Sequence, residues 1–299
     1  MPLIRYCTEI EGEADLRAAL ANLPATAPVI VMVHGYKFSP HSQDFCPFTD
    51  ILSLAPRNRA RGLSWPRHLG VGRTPPEQEP LCIAFGWNSR GTIWRAWRAA
   101  HRAGRDLARL LALVAEVRGH GAQVIAHSLG ALVTLSAIRR APQGSVGRVV
   151  LLSGAAFRSN AACAMASPAG RDAEVLNVTS GENLMFDMLL EAGLGLGRRS
   201  IGRGFDGGAN WVNLRIDDAG HAAALHGLGH RIARPSRRVC HWSGYLRPGV
   251  FGLYRRWFAA PETLPPAMLR AHLPAPRRAR PAFLPQGLNL TGIAPRRPM

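Results

Sequence analysis

The chain has 299 residues, 47% of them hydrophobic, which suffices for one large α/β domain or two small ones and excludes disorder over its whole length. Its formal charge of +18, carried far more by arginine than lysine, is of the sign that attracts nucleic acid, acidic lipid or acidic partners. The arginines are nevertheless spread along the chain, with only short clusters at Arg57 to Arg61, Arg198-Arg199, Arg237-Arg238 and Arg277 to Arg280. An arginine-rich proteome gives the same composition, so nucleic acid or an acidic surface is not the favoured partner.

The five cysteines, Cys7, Cys46, Cys82, Cys163 and Cys240, are scattered without a CxxC pair and read as free thiols in a reducing compartment. No basic segment leads into an apolar one after Met1, and no apolar run reaches the roughly 20 residues of a membrane span. The expectation is a soluble, cytoplasmic protein with no transmembrane segment.

In chain order, Pro28 to Val33 is a buried-strand pattern that stops at His34-Gly35-Tyr36. Residues 57 to 79, rich in Arg, Pro and Gly, predict a surface loop. Pro80 to Phe85 is a second strand, stopped by Gly86, and Trp94 to Val117 repeats its apolar residues at helical spacing. Ala122 to Ala126, Arg148 to Leu152, Val175 to Thr179 and Trp211 to Ile216 complete six strands. A helix from Leu129 to Arg139 and a mobile glycine-rich loop from Gly193 to Gly208 fall between them. Apolar strands alternating with amphipathic helices predict an α/β fold, a doubly wound, mostly parallel sheet with helices on both faces, over residues 1–258. From there on proline and arginine dominate, and residues 259–299 are expected to form an extended or disordered tail.

The stretch Val124-Ile125-Ala126-His127-Ser128-Leu129-Gly130 carries the chemistry. A strand here must turn into a helix within a few residues, which projects the residue at the tip, and small neighbours two places either side, Ala126 and Gly130, prevent clashes. A serine before a helix also serves as an ordinary cap. As a nucleophile, Ser128 needs a base and preorganised donors for the oxyanion. The amide of Leu129, at the helix start, is one expected donor, and the amide of Tyr36, in the loop after the first strand, is the other. On this reading His34 is a structural residue of that loop. Tyr36, Phe38, Phe45 and Phe48 are candidate walls of an apolar acyl pocket or plain core.

These segments resemble those of α/β-hydrolase fold proteins: "VIVMVHGY" is similar to the oxyanion strand and loop, "AQVIAHSLGALV" to the nucleophile elbow, and "VVLLSGAAF" to the strand that follows. "AFGWNSRG" ahead of a long helix most resembles the small lipase or esterase-like branch without a large cap domain. The resemblance implies a serine hydrolase acting on carboxylic esters, or thioesters, of a small-molecule substrate through a Ser-His-acid triad, without cofactor or metal. Its order is nucleophile, acid, histidine. Glu182, close behind the strand Val175 to Thr179, is the expected acid, with Asp187 as rival. Among the later histidines, His241 is the expected base, because "CHWSGYLRPGVFGLYRRWF" resembles the family's terminal segment; His221, closer to the last strand, is the alternative. His226 and His230 lack the HExxH context of a zinc pair, and Gly227 and Gly229 disfavour a shared helix. The competing class is a non-catalytic binding protein on a hydrolase scaffold, gripping a polyanion with its basic surface.

Overall fold

Val29-Ile30-Val31-Met32-Val33 has no polar position, and a strand of that kind must be covered on both faces. A computed structural model, which describes residues 2–7, 13–57 and 63–275, shows how the cover is supplied. Among the described residues, seven strands form one sheet: β1 (Leu3–Cys7), β2 (Val29–Val33), β3 (Leu81–Gly86), β4 (Ala122–His127), β5 (Val146–Leu152), β6 (Glu174–Thr179) and β7 (Trp211–Arg215). Their order is β1-β3-β2-β4-β5-β6-β7, and every neighbouring pair is parallel. The protein is α/β, with helices on both faces of an all-parallel sheet.

Alternate residues of each strand enter separate cores, as the two-residue period requires. Val29, Val31 and Val33 join the apolar faces of the helices Glu13–Ala21, Ile93–Arg118 and Gly130–Ile138. Ile30 and Met32 join Trp65, Tyr254, Trp257 and Leu269 on the other side. The long helix Ile93–Arg118 begins at Thr92, whose hydroxyl accepts from the Arg95 amide, and ends at Gly119 in the left-handed region. Gly104 lets it press against the helix Gly130–Ile138, since a Cβ there would lie 2.5 Å from the Ser136 Cβ.

Several expectations need correction. β1 lies outside the six expected strands: it is a short edge strand, half-exposed and with Arg5 outward, so it lacks the solid apolar run of the interior strands. The Arg/Pro/Gly-rich segment 57–79 contains the helix Trp65–Leu69, anchored by a fully buried Trp65; residues 58–62 lie outside the described residues. The glycine-rich stretch 193–208 is pinned by the Phe157–Ser200 bridge and by Ile201, buried against Gly154.

The expected tail also differs. A helix, Pro266–His272, packs back on the sheet with Leu264 and Leu269 buried, and Arg148 ties the approach to it by donating to the carbonyls of Trp257 and Pro261. Apolar Leu264, Met268 and Leu269 outweigh the surrounding prolines, of which Pro265 caps the helix and Pro266 opens it, where they do no harm. The remainder of the expected tail, 276–299, lies outside the described residues. No helix among the described residues is long and apolar enough to cross a membrane.

Candidate active site

In a parallel sheet the strands' carboxyl ends share one edge, and loops leaving it converge. The segments that follow β2, β4, β5, β6 and β7 meet around Ser128, the last reaching it only beyond the helix Ala219–Gly227.

Ser128 has φ 54°, in the left-handed region that L-residues avoid. It is held there from several sides: its amide donates to the Leu152 carbonyl at 3.0 Å, and its own carbonyl accepts from Ala131 and Ala155 at 3.0 and 2.8 Å. The small neighbours are a steric necessity. A Cβ on Gly130 would lie 2.7 Å from the carbonyl oxygens of Val33 and His34, and one on Gly35 would lie 2.7 Å from the Ser128 Cβ. The chain that carries Tyr36 therefore passes directly against the serine. Leu129, next along, is buried at the start of the helix.

The His241 ring lies across from the serine, with its Nε2 2.7 Å from Ser128 Oγ. Its Nδ1 is 2.6 Å from Asn183 Oδ1, so the ring donates there and keeps the Nε2 lone pair for the serine hydroxyl. Phe186 stacks on the ring at 4.6 Å, and His127 lies at 4.6 Å on another side while its Nε2 donates to the His241 carbonyl. Burial, with the nearby His127 adding to it, holds the His241 pKa well below the ordinary histidine range. The ring is thus neutral at neutral pH and able to accept a proton.

Glu182 does not meet His241. Its carboxylate pairs with the buried guanidinium of Arg247 and accepts from Ser180 Oγ at 3.0 Å. Ser180 caps a single tight turn, Gly181–Asn183, in which successive side chains diverge by about 120°. Glu182 and Asn183 consequently face different ways, and the amide, not the carboxylate, reaches the imidazole. Glu182 instead secures the segment that bears the histidine, through Arg247 and through its carbonyl, which accepts from the Cys240 amide at 3.0 Å.

Asp187, the rival acid, lies one step further back: its Oδ2 accepts from Asn183 Nδ2 at 3.1 Å. His221 is engaged elsewhere, its Nδ1 accepting from the Arg215 amide and its Nε2 donating to the Pro274 carbonyl. His34 is wholly buried, donating from Nδ1 to the Gly35 carbonyl and accepting at Nε2 from the Trp87 amide. Those bonds, with burial that lowers its pKa to about 4, make it a neutral brace for the Tyr36 loop. Phe48 packs against Gly86 in the core, whereas Phe45 is exposed beside Arg90.

No protein-family model and no curated protein sequence matches the chain. The chemistry of the site rests on its own atoms. A hydroxyl on a strained turn, an imidazole free to take its proton and an amide holding that imidazole's tautomer are the components of nucleophilic catalysis. Asn183 escapes sequence reasoning, because a search for a charged partner passes over a carboxamide. The available signal was Asp187 four residues on, which marks a polar stripe on an otherwise apolar helix.

Proposed function

We propose that the protein is a serine hydrolase of carboxylic esters, built on an α/β-hydrolase fold and working through an acyl-enzyme. The carrying observation is the 2.7 Å contact between His241 Nε2 and Ser128 Oγ, with Asn183 on the opposite ring nitrogen. His241 takes the Ser128 proton as Oγ attacks the ester carbonyl, and a tetrahedral oxyanion forms. The amides of Leu129 and Tyr36 stabilise that charge, the first at a helix start and the second in the loop that Gly35 brings against the serine. The imidazolium then protonates the departing alcohol. Water, activated by the same ring, releases the acid.

Aromatic side chains beside the imidazole favour an ester with an apolar acyl group: Phe186 lies on the ring at 4.6 Å, and the partly exposed Trp242 lies 6.2 Å from it. The test is covalent labelling by a fluorophosphonate probe, followed by hydrolysis of p-nitrophenyl esters of increasing chain length. Ser128→Ala should abolish labelling and lower turnover by at least about 10³-fold while the fold persists. Labelling undiminished in folded Ser128→Ala would refute the reading. An unlabelled native protein that binds polyanions in a salt-sensitive way would be a binding protein instead.

A further inference from the structure

An amide is a treacherous partner for a catalytic histidine. Turned one way, its oxygen accepts from Nδ1–H and leaves Nε2 as the base; turned the other way, its NH₂ donates to Nδ1 and places the ring proton on Nε2, where it blocks the serine. In serine proteases, substituting an amide for the carboxylate costs about 10⁴-fold for this reason. Something must choose the orientation of Asn183.

We propose that Asp187 is a positioning residue: it selects which end of the Asn183 amide faces His241, and thereby which ring nitrogen receives the serine proton. This deepens the hydrolase reading and rests on it. A carboxylate only accepts, so Asp187 Oδ2 draws the Asn183 NH₂ to itself at 3.1 Å and turns the amide oxygen to His241. The carboxylate is itself fixed. Ser200 Oγ donates to Oδ1 at 2.9 Å, and Gly202 packs so tightly over it that any side chain there would collide. The glycine-rich stretch thus closes the back of the site.

The charged groups facing Asp187 are Glu191 on its own helical segment and Arg203 from the 200–203 turn, and these pair with each other at 2.9 Å. Burial therefore dominates and raises the Asp187 pKa to about 6, with the Ser200 and Asn183 bonds opposing it. Below that pH a protonated carboxyl can donate, and the lock loosens. The acid limb of wild-type labelling should accordingly fall near pH 6.

A carboxylate at position 183 would need no such orientation, because both its oxygens accept. Asp187→Ala should slow fluorophosphonate labelling by about 10²-fold or more. Adding Asn183→Asp to Asp187→Ala should recover the rate to within about tenfold of wild type and remove the limb near pH 6. The ¹⁵N spectrum of His241 gives a readout independent of turnover: Nδ1–H alone in the wild type, with Nε2–H appearing in Asp187→Ala. Wild-type labelling or an unchanged tautomer in Asp187→Ala would overturn the proposal, as would a folded double variant no faster than the single one. Should Asp187→Ala not fold, Ser200→Ala must shift the acid limb to higher pH by weakening the ionised carboxylate, and an unmoved limb would overturn it equally. Labelling that persists in Ser128→Ala would overturn the hydrolase reading instead, a separate result.

Discussion

Ser128 occupies a backbone region that costs an L-residue about 1–2 kcal/mol, and the cost is borne by the residue whose hydroxyl meets the His241 ring. Ser128→Gly should therefore be more stable than Ser128→Ala by about 1 kcal/mol in denaturant melts, although both lose labelling. Equal stability would show that the turn is relaxed. The buried rings give a second residue-level expectation. His34 and His127 have pKa values lowered to about 4 by burial, against 6.5 for an ordinary histidine. Between these values the unfolded chain binds more protons, so stability is lost as pH falls through the window, by up to about 3 kcal/mol for each ring. Asp187, raised to about 6, acts in the opposite sense, stabilising the fold as pH falls toward its ordinary 3.8. His241, His101 and His230 are lowered in the same sense as these two rings, and Asp50 and Asp106 are raised by burial as Asp187 is. The more numerous and more deeply buried rings outweigh the carboxyls, so the melting temperature should fall from pH 7 to pH 4. A flat profile would contradict the burial assigned to these rings.

At the scale of elements, the turn Gly181–Asn183 separates two roles that lie side by side in the chain. Glu182 serves the pairing with Arg247 that holds the His241 segment, and Asn183 serves the ring. Glu182→Gln leaves Arg247 buried without its counter-charge and should destabilise by about 3 kcal/mol, with the labelling rate changed only a few-fold. Asn183→Ala should slow labelling about 10²-fold, at a smaller cost of about 1–2 kcal/mol for leaving the Asp187 carboxylate and the His241 ring each short of one partner. Thermal melts and labelling rates on the two variants decide between them. If Glu182→Gln proves the slower variant at unchanged stability, the division of roles is wrong. The strand-to-helix turn at Ser128 was legible from Ala126 and Gly130, because such a turn imposes local steric rules. The partner on the imidazole was not, since a one-residue step around a tight turn swings a side chain to another side and no local rule announces it.

For the whole molecule, the parallel sheet is the device that gathers Ser128, Asn183 and His241, which lie up to 113 residues apart, at one edge. The carboxyl-terminal helix belongs to the same body: Leu269 is fully buried, and the Pro274 carbonyl receives His221. Leu269→Ala should cost about 2–5 kcal/mol in a urea melt, whereas a dispensable tail would tolerate it without change. Six of the seven described strands, two helices and the strand-to-helix turn at Ser128 followed from sequence, because buried faces and tight turns write themselves into adjacent residues as apolar runs and small side chains. The edge strand β1, the packing of the last helix, the diversion of Glu182 to Arg247 and the meeting of the Asn183 amide with His241 came only with the tertiary structure. Each depends on contacts between segments distant in the chain, and a residue's type does not reveal which distant neighbour will neutralise its charge or accept its proton.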